Sequence, residues 1–92
     1  MRKKTKTPKE YIVILSQVIT NREGRFEIAY LWDGWRFSTP LEARRHGFQV
    51  RESDDFNIGV LKNDKVIELR WMDKVFLPDQ VDLEEINDGL GL

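Results

Sequence analysis

The acidic residues near the middle of the chain are the ones whose spacing could support chemistry. Glu52, Asp54 and Asp55 lie within one short stretch that Asn57 closely follows. Neighbouring carboxylates can act as general acid and base, and oxygen ligands of this kind can hold Mg²⁺. However, the stretch lacks the Asp-x-Asp-x-Asp-Gly pattern of a calcium loop, and Ser and Asp often bond the local backbone of turns. We therefore interpret it as a turn, with a weak metal or acid/base site at Glu52, Asp54 and Asp55 as our third hypothesis for function.

Other catalytic patterns are missing. His46 is the only histidine and there are no cysteines, so the usual ligands of a transition-metal site are scarce. No serine stands in a Gly-x-Ser-x-Gly elbow, and the glycines form no phosphate-binding loop. His46 is better explained as a cation near a helix C-terminus. The sequence predicts a protein that is not an enzyme and uses no metal or other cofactor.

Aromatic and basic side chains alternate around residues 30–37, and two arginines follow closely. Tryptophan and arginine anchors dominate protein interfaces. We therefore predict a small binding module that acts through a protein partner or as a homodimer. The predicted partner-binding residues are Trp32, Trp35, Arg36, Arg44 and Arg45.

Nucleic-acid binding is the alternative. Residues 1–10 carry five bases and one acid, so a flexible basic arm could contact phosphates while aromatic side chains stack on bases. The formal net charge of −1 weakens this hypothesis, because nucleic-acid-binding domains are usually basic. The residues predicted to contact nucleic acid are Lys3, Lys4, Lys6, Lys9, Tyr30, Trp35 and Arg36.

The composition is that of one small globular domain. A chain of 92 residues has room for a single domain, and its hydrophobic fraction of 40% can form a core. No apolar run approaches the roughly 20 residues of a membrane span. We expect a cytoplasmic protein without membrane association, since the lack of cysteine fits a reducing compartment.

The first half of the chain predicts strands. Residues 11–20 are apolar on both faces, which is typical of a central strand. Residues 21–24 predict a turn, and residues 25–32 alternate as a second strand. Asp33 and Gly34 predict a tight hairpin turn that makes Trp32 and Trp35 cross-strand neighbours, with a short third strand from Trp35 to Ser38.

A helix should follow this hairpin. Residues 39–42 have the form of a capping box with proline at the first helical position. Gly47 should end the helix, with Phe48 packing behind it, and Phe48 to Val50 should be extended. Two further strands should follow, joined by a tight turn at residues 63–64, and residues 83–87 favour one helical turn.

These elements predict an α+β domain. We expect a small antiparallel sheet of about five to six strands, in the order β-β-β-α-β-β, with one short helix packed on it. A small SH3-like or Sm-like β-barrel is the alternative. The predicted organisation is a flexible basic arm at 1–9, a single α+β domain at 10–78 and an acidic, largely flexible C-terminal tail at 79–92.

Overall fold

The computed structural model describes residues 9–52, 55–72 and 83–92. In chain order the elements are β1 (Glu10–Thr20), β2 (Phe26–Leu31), α1 (Pro40–Val50), β3 (Asp55–Lys62), β4 (Lys65–Met72) and α2 (Leu83–Leu90). The four strands form one antiparallel sheet in the order β2-β1-β3-β4. The α+β class is confirmed. The barrel alternative is wrong because β2 and β4 lie at opposite edges of an open sheet, and the predicted five to six strands reduce to four in the described ranges.

Strand β1 is central, as its two apolar faces predict. It pairs with β2 through residues 15–20 and with β3 through residues 10–16. Val13 packs with Ala43 of α1 on one face, whereas Ile12 and Ile14 pack with Ile86 of α2 on the other. The two helices therefore cover opposite faces of the sheet, and β1 supplies apolar side chains to both layers.

Two of the predicted turns are confirmed. Asn63 and Asp64 have φ values of 54° and 60°, which is the left-handed pair that a tight hairpin turn needs. In the turn after β1, the Oδ1 of Asn21 accepts the backbone N–H groups of Glu23 and Arg25. Gly24 has a φ of 79° there. Local side-chain chemistry determines both turns, which is why the sequence predicts them.

The predicted hairpin at Asp33–Gly34 and the third strand after it are wrong. Strand β2 ends at Leu31, and Gly34 has a φ of 92° while Asp33 does not adopt a positive φ. The Asp33 side chain instead accepts the backbone N–H of Trp35 at 3.1 Å, which holds the chain in an open loop. Phe37 makes only an isolated bridge to Tyr11, through backbone bonds of 2.8 and 2.9 Å.

Helix α1 begins as predicted but ends later. The Thr39 hydroxyl accepts the Glu42 N–H at 3.2 Å, although Glu42 accepts the Thr39 hydroxyl rather than reaching its backbone. The helix runs through Gly47 to Val50, so the extended segment predicted at Phe48 to Val50 is wrong. A Cβ at position 47 would lie 2.3 Å from the ring of Phe56. Gly47 therefore allows the helix to approach β3 closely instead of ending it.

Helix α2 is longer than the single predicted turn. It spans residues 83–90, within the segment predicted as an acidic tail, and its Ile86 is fully buried against the sheet. Leu83, Leu90 and Leu92 pack around the same cluster. In the described part of the chain, neither helix is long and apolar enough to cross a membrane.

Candidate protein-interaction surface

The loop from Trp32 to Phe37 is held together by Arg36. Its Nη1 donates to the Oε1 of Glu10 at 3.0 Å and to the Oδ1 of Asp64 at 3.1 Å. These hydrogen bonds, first with Glu10 and then with Asp64, raise the pKa of the Arg36 guanidinium. The guanidinium carbon lies 5.5 Å from the centroid of the Trp32 ring. Arg36 therefore joins the loop to β1 and to the β3–β4 turn.

A second contact joins the same loop to α1. The Oδ2 of Asp33 lies 2.6 Å from the Nε2 of His46. The ring centroid of His46 lies 5.0 Å from that of Phe37 and 6.3 Å from that of Trp35. His46 thus positions the loop on the helix, which is a structural role inside α1 rather than the predicted one at its end.

The predicted partner-binding residues divide into two groups. Trp32 is half-buried against the core on the α2 face, and its Nε1 donates to the backbone carbonyl of Trp35 at 3.0 Å. The predicted cross-strand pairing of these two rings is therefore wrong. Trp35 is 62% exposed, and on α1 Arg45 is exposed while Arg44 is half-buried. The structure brings Trp32, Trp35 and Arg36 into one loop, of which Trp35 alone offers a broad exposed ring.

The residues predicted to contact nucleic acid are more scattered. Lys3, Lys4 and Lys6 lie outside the described residues, and Lys9 is exposed. Tyr30 packs against the core cluster on the α2 face. Tyr30 therefore contributes to the interior of the fold more than to its surface, and Arg36, although exposed, is engaged by two carboxylates.

The structure describes only part of the acidic site predicted at Glu52, Asp54 and Asp55. Glu52 is exposed with a φ of 53°, whereas Asp54 and the side chain of Asp55 lie outside the described residues. Among the described residues, no group of three or more His, Cys, Asp or Glu side chains could hold a metal ion. The neighbouring Asn57 is only 1% exposed, and its amide finds no hydrogen-bond partner within the described ranges.

The β1–β2 hairpin carries an apolar surface that was not predicted from the sequence. Within the described ranges, β3 pairs with β1 as far as Ser16, whereas β2 pairs with β1 through residues 15–20. Val18 and Ile28 are cross-strand partners in this extension and are 71% and 38% exposed. Phe26 is 79% exposed. These side chains continue the apolar face that α2 covers elsewhere. The sequence shows the alternation of apolar and polar residues in β2. It does not show the lengths of the strands, which leave this end of the hairpin exposed.

A groove of about 560 Å³ runs beside this surface. Residues from both faces of β2 line it, which indicates that it follows the edge of the strand rather than one face of the sheet. Helix α2 forms its other wall with acidic side chains. The lining includes Ile28, Ala29, Tyr30, Leu31, Glu85 and Asp88.

The backbone along this edge points outward at alternate residues. The N–H of Asn21 bonds to the carbonyl of Arg25 at 2.9 Å, which makes these two residues a hydrogen-bonded pair. Hydrogen-bonded and non-hydrogen-bonded pairs alternate along an antiparallel ladder. The register then turns the N–H and C=O groups of Phe26 and Ile28 away from β1. In the described structure β2 is an edge strand with β1 as its one neighbour.

Comparisons with known proteins add nothing to this geometry. No protein-family model, no curated protein and no solved structure matches the chain. The surfaces that the fold presents are therefore the guide to its function. The β2 edge combines exposed apolar side chains, an adjoining groove and outward backbone groups, so it is the strongest candidate site.

Proposed function

We propose that this chain is a small, non-enzymatic protein-binding module that pairs the edge of β2 with an extended strand of a protein. The observation that carries this proposal is the groove along β2, where the backbone of Phe26 and Ile28 points outward beside exposed apolar side chains. In strand addition the main chain supplies affinity, and pockets for alternate side chains supply specificity. The groove wall formed by α2 supplies a surface for such alternate side chains.

The sequence of β2 supports this role. Edge strands usually carry lysine, proline or a bulge, which discourage pairing with other chains. Strand β2 has the sequence FEIAYL and contains neither lysine nor proline. Its pairing with β1 has a continuous register over residues 26–31, without a bulge. Glu27 is the one charged side chain of this strand, and a regular, largely apolar edge of this kind is expected to pair with another strand, either productively or by aggregation.

Two of the residues predicted from the sequence stay in the proposal as a second contact region. Trp35 and Arg45 are exposed near α1, and exposed tryptophan and arginine are common interface anchors. Trp32 and Arg36 instead position the loop that presents Trp35. We give this region less weight than the β2 edge because it offers neither a groove nor an outward backbone.

Site-specific photo-crosslinking tests the proposal. A benzophenone amino acid would replace Phe26 in the full chain inside the expressing cell. The matched control places the same group at Ile67, a 42% exposed residue on the opposite edge strand β4. We expect a protein adduct from position 26 well above that from position 67. Equal or absent adducts at the two positions, in a chain that remains folded, would overturn strand addition at β2.

Nucleic-acid binding is the second candidate. The exposed ring of Trp35 favours it, because an accessible aromatic face is what single-stranded binders use to stack on bases. The exposed Lys9 extends from the same end of β1 to which Phe37 bridges. The acidic wall at Glu85 and Asp88 weighs against phosphate binding in the β2 groove, so this function would have to use the Trp35 side of the molecule.

A further inference from the structure

We infer that the strand accepted by β2 is β2 of a second copy of this chain, paired antiparallel about a two-fold axis at Ile28. This inference rests on the proposed function and names its partner. A two-fold interface uses the same patch on both subunits, so the patch must be self-complementary. The register of β2 provides a direct test of that requirement.

The outward backbone groups limit the possible registers. Alternation places the outward groups at Phe26, Ile28 and Tyr30, and only these positions can meet across the new interface. With Ile28 on the axis, each Ile28 faces the other, and each Phe26 lies opposite the second copy's Tyr30. Cross-strand aromatic pairs stabilise antiparallel sheets. Phe26, which is 79% exposed in the single chain, thereby gains an aromatic neighbour.

Charge disfavours the register centred on Glu27, and the extent of pairing disfavours the one centred on Phe26. Pairing Phe26 with the second copy's Ile28 would set Glu27 directly opposite Glu27, and directly opposed like charges are destabilising. With Ile28 on the axis, Glu27 lies opposite Ala29. An axis at Phe26 would pair Arg25 with Glu27, but it would leave Tyr30 opposite the turn at Arg22 and use only half of β2.

The hairpin tip and the groove have opposite charges. In the Ile28 register, Arg25 lies opposite the second copy's Leu31, so the tip lies beside the Tyr30 end of the groove. Gly89 of α2 lies against Tyr30 there, and Asp88 and Glu85 line the groove. Arg22, Glu23 and Arg25 are exposed on the tip, whose net formal charge is +1. Arg25 lies on the sheet face opposite α2, because it alternates with Phe26 and Tyr30. The tip thus brings a net positive charge to the Tyr30 end of the other copy's groove without a direct contact between Arg25 and Asp88, and the two sheets join into one.

The mass of the full chain in solution tests the second copy. We expect light scattering after size-exclusion chromatography to give twice the chain mass at micromolar concentration. Ile28→Lys should shift the protein to monomer, and its matched control Ile67→Lys should leave the dimer intact. Circular dichroism establishes that both variants fold. A wild-type monomer up to millimolar concentration, or equal effects of the two variants, would overturn the inference.

Single cysteines test the register, because the chain has none of its own. Under oxidation by oxygen with a copper catalyst, Ile28→Cys should form disulfide-linked dimers at least tenfold faster than Phe26→Cys or Ile67→Cys. Fastest cross-linking at position 26 would overturn the Ile28 axis. If photo-crosslinking at Phe26 captures a protein of another mass while the chain is monomeric, the second copy is wrong and strand addition still stands.

Discussion

Asn87 bonds to Val66 in the way that a neighbouring strand would. The Oδ1 of Asn87 accepts the Val66 N–H at 2.8 Å, and its Nδ2 donates to the Val66 carbonyl at 3.0 Å. The same Nδ2 donates to the carbonyl of Leu83 at 3.0 Å. One side chain thus satisfies both backbone groups of a buried residue on the β4 edge and ties α2 to the sheet. In the described part of the chain no side chain does this for Phe26 or Ile28 on β2, so the two edges are not equivalent.

The first prediction concerns this link. Asn87→Ala removes three hydrogen bonds and leaves the buried Val66 N–H and C=O without partners, which should lower the free energy of unfolding by about 1–3 kcal/mol. Urea unfolding monitored by tryptophan fluorescence measures the change. Gln49→Ala, at an exposed position of α1 away from the groove, is the control and should change stability by less than about 0.5 kcal/mol. Equal effects of the two substitutions would contradict the role given to Asn87.

The second prediction concerns the approach of α1 to β3. Gly47→Ala would place a methyl group 2.3–2.7 Å from three ring atoms of the buried Phe56, so we expect a loss of about 1–3 kcal/mol from overpacking. Because alanine inside a helix gains about 1 kcal/mol over glycine, the net loss in the free energy of unfolding should be up to about 2 kcal/mol. Phe56→Leu alone should lower the free energy of unfolding. Combined with Gly47→Ala, it should cost less than the sum of the two single effects, because the smaller side chain relieves the overlap. A double-mutant cycle by urea unfolding measures this coupling, and additive effects would mean that the two residues are not in contact.

The third prediction concerns the buried amide of Asn57. A buried polar group without a partner costs stability, so replacing it by an apolar group of similar size should be favourable. Because the amide has no partner in the described ranges, Asn57→Leu should raise the free energy of unfolding by about 1–2 kcal/mol. Asn57→Asp should lower it, since a carboxylate would be buried there. If Asn57→Leu destabilises the protein, the amide is bonded in the folded protein in solution.

The fourth prediction concerns pH and salt at Arg36. Glu10 and Asp64 raise the pKa of Arg36 in the folded protein above its pKa in the unfolded chain. The stabilisation by Arg36 is therefore fully present at pH values below its pKa in the unfolded chain, and it is lost only as the pH rises through the higher pKa of the folded protein. Both values lie far above neutrality. Arg36→Gln should therefore lower the melting temperature by the same small amount throughout pH 6–9. The difference should shrink in about 1 M NaCl, because the ion pairs are exposed. A difference that changes across this pH range would contradict the assignment.

The sequence predicted those features that depend on neighbouring residues. The turn at Asn63–Asp64 and the Thr39 cap each need only a few adjacent side chains, and both were found. Gly47 was misread because a glycine that ends a helix and one that permits close packing look the same in a sequence. Asp33–Gly34 was misread because His46, thirteen positions away, competes for the aspartate.

The candidate site was harder to predict than the fold. The alternation of β2 correctly placed Phe26 and Ile28 on one face, but whether that face is covered depends on how far α2 and β3 extend. The bond between Asn87 and Val66 joins residues 21 positions apart, and no local pattern indicates it. Trp35 was predicted as a binding residue and is exposed, whereas Trp32 has the same residue type and a largely structural position.

The last prediction separates the two proposed functions. Trp35 is the exposed ring in the suspected stacking site, so its fluorescence should respond if bases stack there. With Arg36 engaged by carboxylates and an acidic β2 groove, we expect no saturable quenching by single-stranded or duplex oligonucleotides, even at low salt where electrostatic binding is strongest. Saturable quenching that disappears in Trp35→Phe, and whose salt dependence flattens when Lys3, Lys4 and Lys6 become glutamine, would instead favour nucleic-acid binding.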